Sequence, residues 1–196
     1  MNQITNRDIR IRYNQKTNSI NLINLNLSGE FKISDYWIVE LKKCVINHLN
    51  ISNNKITSID DLPNNLITLN CSKNMISRLT NLPNTLTKLI CNHNKLIELD
   101  LLPETIEFIE CKNNKIVQLD NLPRSLKHLN CSNNNISNLD CLPNNLHKLI
   151  CHDNNLINLN NLPKSLMYLD CSYNYFLNLD CMTNNLDVFI CKYENI

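Results

Sequence analysis

Hydrophobic and polar positions follow one pattern along most of this chain, and the pattern recurs every twenty residues. The block from Leu86 reads Leu-x-x-Leu-x-Cys-x-x-Asn, and its cysteine is the clearest marker of the period. The cysteines at this position are Cys71, Cys91, Cys111, Cys131, Cys151, Cys171 and Cys191. A fixed period in the twenties is typical of a solenoid whose repeats bury their apolar faces only against their neighbours. The pattern therefore predicts a stack of short repeats.

Each position in the repeat has a physical reason. Leu89 and Cys91 lie two residues apart and alternate with residues expected to be exposed, which predicts one short strand that, with Leu86, points these three side chains into the core. Asn94 then turns the chain, and Pro103 disfavours helix in the residue before it. So few residues remain for the return path that a full helix does not fit there. The outer face is therefore predicted to be extended.

These blocks resemble the leucine-rich repeat, Leu-x-x-Leu-x-Leu-x-x-Asn-x-Leu, over roughly three quarters of the chain. The Leu-Pro-x-x-Leu segment resembles in particular the short twenty-residue subtype of secreted bacterial effectors and giant-virus proteins. The resemblance implies an α/β-type but mostly β horseshoe with a parallel strand ladder on its concave face, an extended convex side and a small N-terminal strand/helix cap. It also implies that the repeated asparagine buries its amide against backbone groups of the loops. That asparagine recurs as Asn54, Asn74, Asn94, Asn114, Asn134, Asn154 and Asn174, and Glu194 replaces it at the end.

The chain divides into an N-terminal cap, residues 1–48, and about seven regular repeats, residues 49–196. Inside the cap, two apolar triplets fit the repeat template twenty-four residues apart, which predicts one longer repeat. The triplets are Leu22, Leu25 and Leu27, then Ile46, Leu49 and Ile51. Ser34 is a plausible N-cap for a helix that turns Trp37, Leu41 and Cys44 inward. A strand from Asp8 to Tyr13 is predicted to cover the first repeat.

The composition agrees with a single domain that has a continuous hydrophobic core. The chain has 196 residues, is 43% hydrophobic and carries a formal net charge of +1, so no charge bias demands an acidic or basic partner. Gly29 is the single glycine, and asparagine is expected to replace glycine where turns need left-handed backbone. The first residues lack an apolar stretch of signal-peptide length, and no run approaches membrane-spanning length. We expect an intracellular protein, in a host or virion milieu, without membrane contact.

The ten cysteines are predicted to be free thiols. Parallel strands lie about 4.8 Å apart, and side chains in register keep their Cβ atoms wider apart than the roughly 3.8 Å that a disulfide prefers. A straight line of thiols also cannot form the tetrahedron that zinc requires. The sequence thus predicts a ladder of small, buried apolar residues in a reducing compartment, with no metal. Cys141 and Cys181 lie outside the core stripe.

The exposed side of the ladder is the candidate binding surface. Aromatic, aliphatic and cationic side chains mix there on a polar face, as in a protein-binding hot spot. Phe108 is expected to be an exposed ring, and Ser52, Ser72, Ser132 and Ser172 are expected to form part of the same surface. The candidate ligand-binding residues are Lys88, Ile90, Phe108, Glu110, His128, Lys148, Ile150, His152, Tyr168 and Asp170.

Catalysis, cofactors and nucleic-acid binding are not predicted. The histidines of the ladder do not converge on one point, and no nucleophile with an adjacent base, no paired carboxylates at a fixed spacing and no glycine-rich phosphate loop occur. Lysines of the concave face are interleaved with acidic residues, which disfavours a nucleic-acid partner. These acidic residues are Glu107, Glu110, Asp153, Asp170 and Asp187.

The resemblance implies a non-catalytic module that binds a protein ligand on its concave face. The alternative is the substrate-recognition adaptor of an effector or ubiquitin-ligase system, with catalysis on another chain. In the bacterial effectors that the chain resembles, a catalytic domain follows the repeats, and we expect none to follow them in this protein. The strand of Leu186, Phe189 and Cys191 is expected either to fray or to pair weakly with a second copy, because open strand edges attract other chains.

Overall fold

A computed structural model describes residues 12–33, 44–176 and 186–193. The regular secondary structure in these ranges is mostly β-strand, and from residue 48 onward each repeat contributes one strand to the main sheet. The strands are β1 (Tyr13–Asn14), β2 (Ser19–Asn21), β3 (Ser28–Lys32), β4 (His48–Asn50), β5 (Lys55–Asp60), β6 (Thr68–Asn70), β7 (Lys88–Ile90), β8 (Phe108–Glu110), β9 (His128–Asn130), β10 (Lys148–Ile150), β11 (Tyr168–Asp170) and β12 (Val188–Ile190).

Ten of these strands form one continuous ladder in the order β1-β2-β4-β6-β7-β8-β9-β10-β11-β12. From β2 to β12 all neighbours are parallel, and from β4 onward each strand pairs with the next at the same repeat position. β1 is antiparallel to β2. On the opposite side of the first turns, β3 and β5 form a second, two-stranded parallel sheet. The predicted solenoid with a parallel ladder is confirmed.

The core runs along the inside of the ladder as stacked rows of leucine, isoleucine and cysteine. Leu89, Cys91 and Leu96 have no exposed surface, and the same positions are buried in the repeats on either side. Burial of each leucine stabilises the fold by about 1.5 to 3 kcal/mol. In the return path the carbonyl of Pro103 accepts a hydrogen bond from the N–H of Ile106, 3.1 Å away. A tight turn thus replaces a helix, and the predicted extended convex side is confirmed.

The repeated asparagine satisfies the backbone where the chain leaves each strand. Nδ2 of Asn134 donates to the carbonyls of Cys111, Cys131 and Ser132 at 3.1, 3.0 and 3.2 Å, and its Oδ1 accepts from the N–H of Ile116 at 3.0 Å. The same set of bonds recurs in the neighbouring repeats. Each amide therefore links two successive turns, as the resemblance implied.

The core cysteines form a line of buried thiols, as predicted. Cys71, Cys91, Cys111, Cys131, Cys151 and Cys171 have no exposed surface. These six cysteines are free thiols. Burial raises the pKa of Cys131 to about 12, so its thiol stays protonated at neutral pH. Cys191 is half-buried and Cys141 is exposed, whereas Cys181 lies outside the described residues.

The predicted register of the first, longer repeat was wrong. Ile20 pairs with Leu49 across β2 and β4, so the repeats are offset by twenty-nine residues rather than twenty-four. Leu22 is therefore the counterpart of Ile51, and Leu25 lies where the next repeat has Asn54. The core buries Ile20, Leu22 and Leu27, whereas Leu25 of the predicted triplet is only half-buried. The predicted helix after Ser34 and residues 8–11 of the predicted strand lie outside the described residues.

Left-handed backbone recurs at the residue before the repeated asparagine in every repeat from Asn53 to Tyr173. Asparagine occupies this position in three repeats, as expected from the lack of glycine, but a lysine, a histidine, an aspartate and a tyrosine occupy it in the others. The fold thus imposes the conformation regardless of residue type. The residues are Asn53, Lys73, His93, Asn113, Asn133, Asp153 and Tyr173, with φ between 54° and 60°.

Replacement of Lys73 by asparagine is expected to raise the free energy of unfolding by about 0.5 to 1 kcal/mol, because asparagine tolerates positive φ better than lysine. Lys73 is exposed and has φ of 54°, so the change removes backbone strain without loss of packing. Lys95→Asn, at an exposed position without positive φ, is the matched control and is expected to give no gain. Urea unfolding of both variants measures the difference, and an equal effect would refute the strain argument.

Candidate functional site on the concave face

Alternation along each three-residue strand positions the candidate site. In β8 the central Ile109 points into the core with no exposed surface, while Phe108 and Glu110 point outward and are half-buried. Because the strands are parallel and in register, equivalent outward residues form continuous rows across the ladder. We call the row formed by the first residues of β7 to β11 the ring row. Its members are Lys88, Phe108, His128, Lys148 and Tyr168.

Side chains of the ring row stack on one another along the ladder. Nζ of Lys88 lies 4.3 Å from the ring centroid of Phe108. The rings of Phe108 and His128 are parallel within 5° and 4.2 Å apart. Nζ of Lys148 lies 4.3 Å from the centroid of Tyr168. Such cation–π contacts contribute about 0.5 to 1 kcal/mol at exposed sites and hold the lysine heads in place. The structure thus brings five of the predicted residues together.

A half-buried carboxylate supports the centre of the ring row. Oε1 of Glu110 accepts from Nε2 of His128 at 3.0 Å, and Oε2 accepts from Nδ2 of Asn130 at 3.0 Å. Burial raises the pKa of Glu110, but hydrogen bonds from His128, Asn130 and Asn92 outweigh burial and leave the pKa below its usual value. Glu110 therefore stays ionised and orients the imidazole. Sequence reasoning missed the role of Asn130, and the signal that could have found it is its place next to Glu110 at the same repeat position.

The four serines predicted to form part of the concave surface are buried. Ser132 and Ser172 are 1% and 3% exposed, so their assignment to the surface was wrong. The reason is a local turn: Oδ1 of Asp170 accepts from the N–H of Ser172 at 3.2 Å and from its Oγ at 2.9 Å. Ser52 and Ser132 make the same pair of bonds to Asn50 and Asn130, whereas Ser72 is buried with only its N–H bonded to Asn70. These serines belong to the scaffold, and Ser172 occupies one carboxylate oxygen of Asp170.

Four acidic residues of the concave face have partners in the protein itself: Glu107, Glu110, Asp153 and Asp170. Oε2 of Glu107 lies 2.9 Å from Nζ of Lys127, and Oδ2 of Asp153 lies 2.6 Å from Nδ1 of His152. His152 therefore lies beside the ring row rather than within it. In the part of the chain that the structure describes, Lys88 has no ion pair, and neither has Lys148. The groups that remain available to a ligand are thus cationic and aromatic.

The described residues contain neither a metal-binding group nor a membrane-spanning helix. Within residues 12–33, 44–176 and 186–193, no three histidine, cysteine or acidic side chains group so as to hold a metal ion. No helix of the described chain is long and apolar enough to cross a membrane. A cavity of about 510 Å³ lies on the convex side between Arg78, Glu98 and Leu101, away from the ring row. It contains none of the predicted binding residues.

Solved structures of leucine-rich repeat proteins share this fold. YopM from Yersinia enterocolitica is 37% identical over 76% of this chain, with a TM-score of 0.69. The leucine-rich repeat domain of a Shigella effector is 24% identical over 96% of the chain, with a TM-score of 0.74. InlJ from Listeria monocytogenes, whose functional domain includes a cysteine ladder, is 27% identical over 83% of the chain, with a TM-score of 0.58.

The extent of these matches differs between the three proteins. The chain spans 34% of the YopM chain, 41% of the InlJ chain and 89% of the Shigella domain. No protein-family model matches the sequence, and no curated protein matches it significantly. The twenty-residue period, the parallel ladder and the likeness to effector domains agree with one another. The chain therefore has the leucine-rich repeat fold, and its short, twenty-residue repeats are similar to those of the bacterial effector YopM.

Proposed function

We propose that this chain is a non-catalytic protein–protein interaction module that binds a protein ligand on its concave face, centred on the ring row. The observation that carries the proposal is the continuous stack of Lys88, Phe108 and His128. Aromatic anchors surrounded by polar groups dominate the binding energy of protein interfaces. Leucine-rich repeats commonly mediate protein–protein interaction, which agrees with this assignment.

Order within the ring row supports binding. Side chains that are already held in one conformation lose little rotamer freedom when a ligand arrives, so more of the contact energy appears as affinity. Phe108 is held from one side by Lys88 and from the other by His128. Glu110 in turn holds His128. The ring row is thus organised before the ligand binds.

A second candidate function is a substrate-recognition adaptor whose catalytic partner is a separate chain. The likeness to YopM and to the Shigella effector domain favours it. In this case the concave face would hold the substrate, and a different surface would hold the catalytic chain. For either function we propose a reducing, intracellular compartment, and the buried ladder of free thiols supports this proposal.

Phe108→Ala is expected to weaken capture of the protein ligand by about 2 kcal/mol, roughly a thirtyfold loss of affinity, because the ring is a central anchor. The ring is half-buried and stacked, so its loss also lowers stability by about 1 kcal/mol. Affinity capture from the native host's lysate, quantified by mass spectrometry, measures the loss of ligand. Thermal melting confirms that the variant is folded.

Val117→Ala is the matched control, since Val117 is an exposed apolar residue of the convex side. It is expected to retain the proteins that the unmodified chain retains. Equal capture by Phe108→Ala and by the unmodified chain would refute binding on the concave face. A catalytic protein whose capture survives Phe108→Ala, while other proteins are lost, would favour the adaptor function.

A further inference from the structure

We infer that the ring row recognises an extended peptide of the pattern acidic-x-apolar-x-acidic, which lies along the ladder and crosses the strands. The inference rests on the proposed function and names the class of ligand. Its basis is a duplicated strand: β7 and β10 have the same sequence, Lys-Leu-Ile, and the two strands bracket the stacked rings of β8 and β9. Lys88 and Lys148 therefore lie three strands apart, with Phe108 and His128 between them.

The spacing of these residues matches that of an extended chain. Neighbouring strands lie about 4.8 Å apart, so the two lysines are separated by about 14 Å along the ladder. Both lysine heads lean toward the next strand, over Phe108 and over Tyr168, so the separation of the two ammonium groups is preserved. An extended peptide advances about 3.4 Å per residue, which places residues i and i+4 about 14 Å apart and on the same face. Residue i+2 then lies halfway, above the pair of stacked rings.

Charge favours an acidic ligand. The ammonium groups of Lys88 and Lys148 face no carboxylate in the described ranges, whereas Glu110 and Asp170 accept hydrogen bonds from neighbouring side chains. A carboxylate at residue i and another at residue i+4 would each meet one ammonium group. Charge-assisted hydrogen bonds of this type are stronger than neutral ones.

The apolar residue of the peptide, at i+2, would contact the edges of the stacked rings. Lys88 and His128 cover the two faces of Phe108, so the ring edges remain for contact with a ligand. Ile90 and Ile150 are half-buried next to the two lysines and offer aliphatic contacts to the acidic side chains. A leucine or a similar side chain at i+2 would cover the surface above Phe108 and His128, between the two lysines. The pattern is therefore read by two charges at a fixed distance and one apolar contact between them.

Synthetic peptides test the spacing directly. Fluorescein-labelled Gly-Ser-Glu-Ser-Leu-Ser-Glu-Ser-Gly carries the pattern, and peptides of identical composition with the glutamates at i,i+2 or i,i+3 are spacing controls. Fluorescence polarisation in low and in near-physiological salt measures binding. The i,i+4 peptide is expected to bind about fivefold to tenfold more tightly than either control. Lys88→Gln and Lys148→Gln are each expected to lower its affinity about threefold to tenfold.

Lys115→Gln, which removes an exposed lysine of the convex side, is the matched protein control and is expected to leave binding unchanged. Equal affinity for all three spacings, or an equal loss on Lys115→Gln, would reduce the binding to general charge attraction and overturn the inference. If no peptide binds while capture of a host protein still depends on Phe108, this inference fails and the proposed function stands. If capture also does not depend on Phe108, both fail.

Discussion

Replacement of Asn134 by alanine is expected to lower the free energy of unfolding by about 3 to 4 kcal/mol. Its side-chain amide is buried and makes hydrogen bonds to three carbonyls and one N–H of two successive turns. Alanine would leave these backbone groups without that partner, and each buried polar group that loses its partner costs about 1 to 3 kcal/mol. The effect is large because the groups are far from water and the neighbouring turns cannot rotate to replace the bonds.

Asn155→Ala is the matched control, because Asn155 directly follows the next repeated asparagine, Asn154, and is exposed. Its effect is expected to stay within about 0.5 kcal/mol. Urea unfolding, followed by far-ultraviolet circular dichroism, measures both variants, and a changed m-value would reveal that one turn of the solenoid melts separately. A loss of less than about 1 kcal/mol for Asn134→Ala would contradict the role assigned to the amide.

Cys131→Ser is expected to destabilise the protein by about 2 to 3 kcal/mol, and Cys131→Ala by about 1 to 2 kcal/mol. Cys131 has no exposed surface. Alanine removes apolar volume, whereas serine removes volume and also buries a hydroxyl that needs a partner. Denaturant melts of the two variants give the difference.

Cys141→Ser provides the comparison for an exposed thiol, and its expected change is below about 0.5 kcal/mol. A midpoint unchanged in both Cys131 variants would place this thiol outside the core. Serine as stable as alanine would show instead that the hydroxyl finds a carbonyl of the next turn, as the thiol of Cys111 does with the carbonyl of Asn130 at 3.4 Å.

Much of the ring row was predictable from the sequence. The twenty-residue period places Phe108 next to Lys88 and His128, since equivalent residues of parallel strands are neighbours. Period-two alternation places Ile109 in the core and Phe108 outside it. The sequence did not predict that these side chains stack, because rotamers depend on what each neighbour leaves free. The cation–π contacts and the support from Glu110 are therefore products of packing.

Two predictions from the sequence were wrong because interactions outside the alternation pattern decided them. Ser132 and Ser172 follow the alternation for exposed residues, but a side-chain oxygen two residues earlier draws their hydroxyls inward. In the first repeat, Leu22 and Leu25 fit the template, yet strand pairing selects Ile20 and Leu22. Local pattern cannot resolve either case, because short-range hydrogen bonds and backbone pairing compete with it.

The sequence by itself determined the class of fold, the direction of the ladder, the buried thiols and the residues available on the concave face. These features follow from periodicity, since a repeated sequence stacks equivalent positions on one another. Only the tertiary structure decided the register of the first repeat, the left-handed backbone at Lys73 and the pairing of charges around the ring row. The physical reason is that these features depend on distances between successive turns, which exist only once the turns have packed together.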